Sequence, residues 1–319
     1  AAMEKLEGDV TVVSRNDADT VWYLLVNKSD RSPAFLRWDR AKQASTPLFV
    51  TRPKLESYAL APMTPLTYSA RDGLTIRAYL TTPVGREAQN LPLVVLVHGG
   101  PWVRDRWGFH PEAQWLASLG FAALQINYRG SSGYGKRHLH AGDREWGAKM
   151  QDDLTDGVNW AVARRIADPA RVAIYGGSYG GYAALAGAAF TPGVYRCAVD
   201  VVGPSNLITL IKSIPPYWEP MKRVFDLRVG SVDTEEEFLK SRSPLFSADK
   251  IDIPLLIAQG ANDPRVKQAE AEQIVAALRA KGKPVEYLLY PDEGHGFAKP
   301  ANRLDFYAKA ETFLARHLS

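Results

Sequence analysis

Four kinds of residue in this chain have the types and spacing to do chemistry together. In AIYGGSYGGYAAL, residues 173–185, Ser178 sits between an apolar strand-like run and an Ala-rich helix-like run, crowded by Gly176, Gly177, Gly180 and Gly181. Such a turn forces a serine hydroxyl out above a sheet, and it needs residues without Cβ because the helix passes close to a strained backbone. A serine hydroxyl is a weak nucleophile until an imidazole takes its proton, and the imidazole needs a carboxylate to fix its tautomer. Downstream of Ser178, QGANDPRV places Asp263 just after one apolar run, and PDEGHGF places His295 in a Gly-flanked loop after another. The order Ser, Asp, His along the chain is the one used by sheets that turn strand to helix at the nucleophile.

Each member also has a plainer reading. Asn-Asp-Pro initiates turns well, and Asp292, Glu293 and Asn262 are rival polar groups near the same loops. His110, His138 and His140 precede the serine and His317 falls in the terminal helical pattern, so none has matching context. Three residues in the required order, each at the end of a strand pattern, make the joint assignment of Ser178, Asp263 and His295. A tetrahedral intermediate would further need preorganised donors. The backbone N–H of Tyr179, next after the serine, is one. The other is assigned to Gly100 in VLVHGGPW, where Gly99 and Gly100 allow close approach and Pro101 has no N–H to give.

Elements must hold these residues in place. Apolar runs at 93–97, 121–126, 171–175, 197–202, 254–258 and 285–290 alternate with helical patterns at 111–119, 150–165, 179–189, 267–281 and 302–318. Continuous apolar strands alternating with helices predict an α/β fold, a mostly parallel sheet covered on both faces. Asp72-Gly73 marks a hairpin turn before them. The interval 203–250, rich in Pro and aromatics, reads as an excursion above the sheet. Loops beyond the strand ends build sites in such folds, so Tyr217, Trp218, Leu207 and Ile211 are the candidates to line a pocket. That pocket would prefer an apolar side chain before the scissile bond.

Residues 9–60 have a different texture: four short β-branched or aromatic runs with turn signals between them, the pattern of one propeller blade. A ring needs at least about four blades of roughly 40–45 residues. The expected organisation is therefore 1–60 as an antiparallel β segment, the last blade of a truncated propeller, and 61–319 as the main domain. The unfilled strand edge is expected to pack on that domain or pair with a second chain, which leaves room for a homo-oligomer, and the mouth of the site is expected to stay uncovered.

The 319 residues are 46% apolar and 23% charged, ordinary for a globular protein. The charges, 39 basic against 35 acidic, form no basic block or stripe, which argues against nucleic acid. No apolar run approaches the roughly 18 residues of a membrane span. Cys197 is the only cysteine, so no internal disulfide can form. No cofactor or metal pattern is found, AAMEKLEGDV has no signal-peptide core, and a cytoplasmic location is expected.

Taken together, HGGPW, NYRGSSGYG (127–135), GGSYGGY, GANDPRV and DEGHGF resemble the catalytic domain of the prolyl oligopeptidase family of serine peptidases, in its acylaminoacyl-peptidase and dipeptidyl-peptidase-like branches. The resemblance covers about residues 61–319. It implies an α/β-hydrolase fold, a Ser178, Asp263, His295 triad, an acyl-enzyme route for short peptides, and a propeller preceding the catalytic domain. It also implies that Arg265 binds a substrate carbonyl. Prolyl-specific and dipeptidyl members carry a tyrosine oxyanion donor where this chain has His98, which favours the backbone donor at Gly100. The alternatives are a carboxylesterase with the same machinery and a non-catalytic hydrolase-fold module.

Overall fold

The computed structural model describes residues 6–214 and 216–319; residues 1–5, at the start of the AAMEKLEGDV stretch, lie outside them. Four strands, β1 (Asp9–Arg15), β2 (Val21–Asn27), β3 (Ala34–Asp39) and β4 (Ala44–Val50), form one antiparallel sheet in chain order. Its pattern is the alternation expected of a half-covered sheet: Leu24, Val26 and Trp38 are buried, while Val12, Tyr23, Leu48 and Phe49 are exposed.

The remaining elements follow as β5 (Met63–Ser69), β6 (Thr75–Thr81), β7 (Leu91–Val97), α1 (Pro111–Ser118), β8 (Ala122–Asn127), α2 (Lys136–His140), α3 (Lys149–Ala163), β9 (Ala167–Gly177), α4 (Tyr179–Phe190), β10 (Cys197–Val201), α5 (Leu207–Lys212), α6 (Glu219–Arg228), α7 (Glu236–Ser241), β11 (Leu255–Gly260), α8 (Gln268–Ala280), β12 (Val285–Tyr290) and α9 (Pro300–Leu318). Strands β5 to β12 make an eight-stranded sheet in the order β12-β11-β10-β9-β7-β8-β6-β5. The pairs β7–β9, β9–β10, β10–β11 and β11–β12 are parallel. Every residue of β7, β8 and β11 is buried. Strands covered on both faces need no polar side, and each fully buried Val, Leu or Ile contributes about 1.5–3 kcal/mol. The fold is α/β-hydrolase, with the N-terminal antiparallel sheet beside it in the chain.

By compactness the chain divides into Ala1–Leu66, Tyr79–Glu87 and Arg106–Ala123 as one unit, and Thr67–Ala78, Ala88–Asp105 and Leu124–Ser319 as the other. Within the first, Gln114 of α1 donates to the carbonyls of Ser29 and Ala61 and accepts from Ala61 N–H, and Phe109 N–H donates to Asn27. In the second, Arg129 is buried between Asp153 and Asp72, donating to both carboxylates at 2.7–2.9 Å. Hydrogen bonding to Arg129 holds Asp72 down at about 2.

The 203–250 excursion contains three short helices, α5 to α7, that composition did not reveal. It is pinned at its root: Ser205 and Asn206 N–H donate to the buried Glu270 carboxylate on α8, and Leu207 N–H donates to Ser243 Oγ. Its middle is less buried, since α6 has no buried residue among those described. No described helix is long and apolar enough to cross a membrane.

Candidate active site

All the residues expected to do chemistry fall in the second unit, at the C-terminal ends of parallel strands. Ser178 ends the run of β9 into α4 with φ +58° and ψ −119°, a conformation that non-glycine residues seldom adopt. Two bonds hold it there: Ser178 N–H donates to Val201 O on the neighbouring strand at 2.9 Å, and its carbonyl accepts from Tyr182 N–H at 3.0 Å. The turn works only with glycine at position 180, where a Cβ would lie 2.1 Å from the Val97 carbonyl oxygen. Tyr179 is the first residue of α4, so its N–H has no acceptor within the helix.

His295 Nε2 lies 3.0 Å from Ser178 Oγ, and its Nδ1 lies 2.7 Å from Asp263 Oδ2. A carboxylate can only accept, so Nδ1 carries the proton and Nε2 is left bare to take one from the serine. Asp263 in turn accepts Arg265 N–H at 2.8 Å and Val266 N–H at 3.0 Å on its other oxygen. Its side chain is sealed from solvent, whereas the His295 side chain is 15% exposed. The carboxylate is thus fixed and dry, and the imidazole reachable.

The rivals go elsewhere. Asp292 is on the surface, paired with Lys299 and Asn302. Glu293 is buried and accepts the N–H groups of Ala298 and Lys299, which folds the chain back beyond His295. Asn262 donates to Pro291 O.

On the other side of the elbow runs His98-Gly99-Gly100, directly after β7. A Cβ on Gly99 would be 3.4 Å from Ser178 Cβ, so this loop lies against the serine. Gly100 is exposed with φ +115°, a backbone that glycine adopts freely.

Around these groups is an aromatic shell that the sequence did not single out. His98 stacks on Tyr128 with centroids 4.4 Å apart, Tyr128 meets Tyr179, and Trp146 meets Tyr179 edge-on at 4.6 Å. Trp102, two residues beyond Gly100, meets Phe225 of α6 edge-on, and the Arg228 guanidinium sits over the Trp102 ring. The signal for Tyr128 was present in NYRGSS, but spacing alone does not say which ring faces the loop.

Of the pocket candidates, Tyr217 and Trp218 are in edge contact and the Arg265 guanidinium lies 5.4 Å over the Trp218 ring. Tyr217 is exposed, whereas Leu207 and Ile211 are buried on α5. Trp218 thus joins Tyr217 to Arg265. No group of three or more His, Cys, Asp or Glu residues that could hold a metal is found among the described residues.

Known proteins resemble the chain throughout this region. The model of the prolyl oligopeptidase family matches residues 107–319. Dipeptidyl aminopeptidase BIII of Pseudoxanthomonas mexicana is 49% identical over 331 residues, covering 100% of this chain and 48% of that protein. Dipeptidyl peptidase family member 6 of Caenorhabditis elegans is 44% identical, covering 98% of the chain and 46% of that protein. A puromycin-hydrolyzing peptidase of Mycobacterium tuberculosis superposes with a TM-score of 0.86 at 29% identity, over 94% of this chain and 46% of that one. The chain spans about half the length of the curated relatives it matches.

Proposed function

The chain belongs to the prolyl oligopeptidase family, and from that premise we propose that it is a serine peptidase releasing short N-terminal fragments from peptides through an acyl-enzyme. One observation carries this reading: the hydrogen-bonded series Ser178, His295, Asp263, at 3.0 and 2.7 Å, on an elbow whose backbone already has the strained form. Ser178 Oγ attacks the scissile carbonyl as His295 Nε2 takes its proton, and the same imidazole then gives that proton to the leaving amine. Asp263 holds the imidazole in the productive tautomer and stabilises its charged form. The N–H groups of Tyr179 and Gly100 receive the developing oxyanion. Water, deprotonated by His295, then releases the acyl group.

Arg265 is proposed to donate to a substrate carbonyl beside Trp218 and Tyr217, with Leu207 and Ile211 forming apolar wall behind them. Residues 1–60 are proposed to be the last blade of a propeller and 61–319 the catalytic domain. The four-stranded sheet and the half-length match to longer relatives support that division.

The test combines a fluorophosphonate probe with a panel of dipeptidyl, aminoacyl, N-acyl-aminoacyl and simple ester substrates. Labelling at Ser178 with release of a dipeptide or a blocked residue supports the reading. Ser178→Ala should lose labelling and at least about 10³-fold in turnover. Turnover confined to esters would make the protein a carboxylesterase, and no labelling of a folded protein would make it a non-catalytic module. Faster cleavage after Asp or Glu than after Leu or Phe would defeat the apolar pocket.

A further inference from the structure

His98 makes a set of contacts whose donors and acceptors close in only one way. Its Nδ1 lies 2.8 Å from Gly99 O, and a carbonyl oxygen can only accept, so Nδ1 carries the proton. In the neutral ring Nε2 is then bare, and it accepts the hydroxyl proton of buried Ser131 at 3.0 Å. Tyr128 Oη lies 3.1 Å from the same Nδ1, which has no lone pair to offer, so the hydroxyl donates to His98 O at 2.9 Å instead. The stack on the fully buried Tyr128 ring fixes the plane of the imidazole. Removal from water pushes the His98 pKa down to about 4, against the opposing pull of the Gly99 carbonyl, so the ring is neutral in ordinary buffers.

In a trans peptide the carbonyl and the N–H point in opposite directions. Gly99 O and Gly100 N–H belong to one peptide unit, so seating the oxygen on His98 turns the N–H away from the ring. That unit joins two glycines, which resist peptide rotation less than any other pair. Gly99, at its start, lies against Ser178.

We propose that His98 is a positioning residue: by donating from Nδ1 to Gly99 O it locks the Gly99–Gly100 peptide with the Gly100 N–H aimed at the oxyanion. Ser131 and Tyr128 set the tautomer and the plane that make this possible. The inference rests on the serine hydrolase reading above and adds to it the group that orders the second donor.

The experiment compares His98→Leu, which removes the donor, with His98→Asn, whose Nδ2–H can reach the place of Nδ1. Turnover of a dipeptidyl or acyl-aminoacyl nitroanilide is measured beside inhibition by a peptide boronic acid, whose tetrahedral serine adduct places an oxygen where the oxyanion forms. Loss of one oxyanion donor costs about 10²–10³ in kcat. His98→Leu should therefore lose about 10²-fold in kcat with KM within about threefold, and bind the boronate weaker by a similar factor. His98→Asn should recover most of both. Wild-type kcat in His98→Leu, or equal losses in the two variants, would overturn the assignment. ¹⁵N NMR of the wild-type imidazole reads the tautomer independently of turnover. A proton on Nε2 defeats the role of His98 even in an active enzyme, whereas a protein unreactive at Ser178 defeats the hydrolase reading and this inference with it.

Discussion

At the scale of single residues, the arrangement sets apart two acidic groups of the loops that flank His295, Asp263 and Asp292. Asp263 is sealed and receives three N–H groups, one of them from His295. Asp292 is half in water and shares Lys299 and Asn302. Replacing a group that sets the tautomer of a catalytic imidazole costs far more than neutralising an exposed ion pair. Asp263→Asn should thus lower kcat by about 10²–10⁴-fold, while Asp292→Asn stays within about twofold; steady-state kinetics of the two purified variants decides, and equal losses would reassign the partner of His295. That Ser178, Asp263 and His295 would come together was legible because each sits at a strand end in the order this turn chemistry requires. His98 was legible only as a departure from a tyrosine. Its partners Tyr128 and Ser131 are 30 and 33 residues away, and pairing across that distance is made by the sheet, which no local pattern encodes.

At the scale of elements, burial explains which parts could be read. Strands β7, β8 and β11 are apolar from end to end because both faces are covered, and β12 falls at 285–290 as its pattern predicts. Strand β9 starts at Ala167, earlier than its apolar run suggests, because Leu91 pairs with Ala167 and a register shift takes up the polar residues between. Helices α5 to α7 were missed for the opposite reason: they are short, and α6 has no buried stripe to give a period. A second consequence at this scale concerns the β5–β6 turn, where Asp72 meets Arg129. Its folded pKa of about 2 lies below the ordinary 3.8. The ionised form is therefore favoured by folding, and its stabilising effect is complete above the ordinary value and lost as pH falls through it toward 2. The Tm gap between wild type and Asp72→Asn should be widest near neutral pH and close between about pH 4 and 2; a gap that does not change with acid would show that the pair adds nothing through charge.

At the scale of the whole molecule, the four-stranded sheet keeps two outer strands, β1 and β4, each with one partner strand among the described residues. Val12, Val13, Leu48 and Phe49 are exposed on them. Unpaired apolar edges recruit further strands, so the chain taken alone should self-associate as concentration rises, and Val12→Lys should shift sedimentation back toward the monomer. Identical profiles for the two would place any association elsewhere. The eight-stranded sheet carries a consequence of another kind. Ser178 and Asp263 follow β9 and β11, while His295 follows β12, the outermost strand, reached through the exposed turn at Gly282 where φ is +65° and no atom crowds the backbone. The imidazole proposed to carry the proton therefore comes on a piece made of one edge strand and one helix, α9, which buries Phe306, Phe313 and Leu314. A chain cut at Gly282 would give a long fragment holding Ser178 and Asp263, and a short one holding only His295. On the proposed mechanism neither fragment would turn over alone, and activity would return only as β12 zips back onto β11 and α9 docks again, making hydrolysis a direct readout of two polypeptides finding each other.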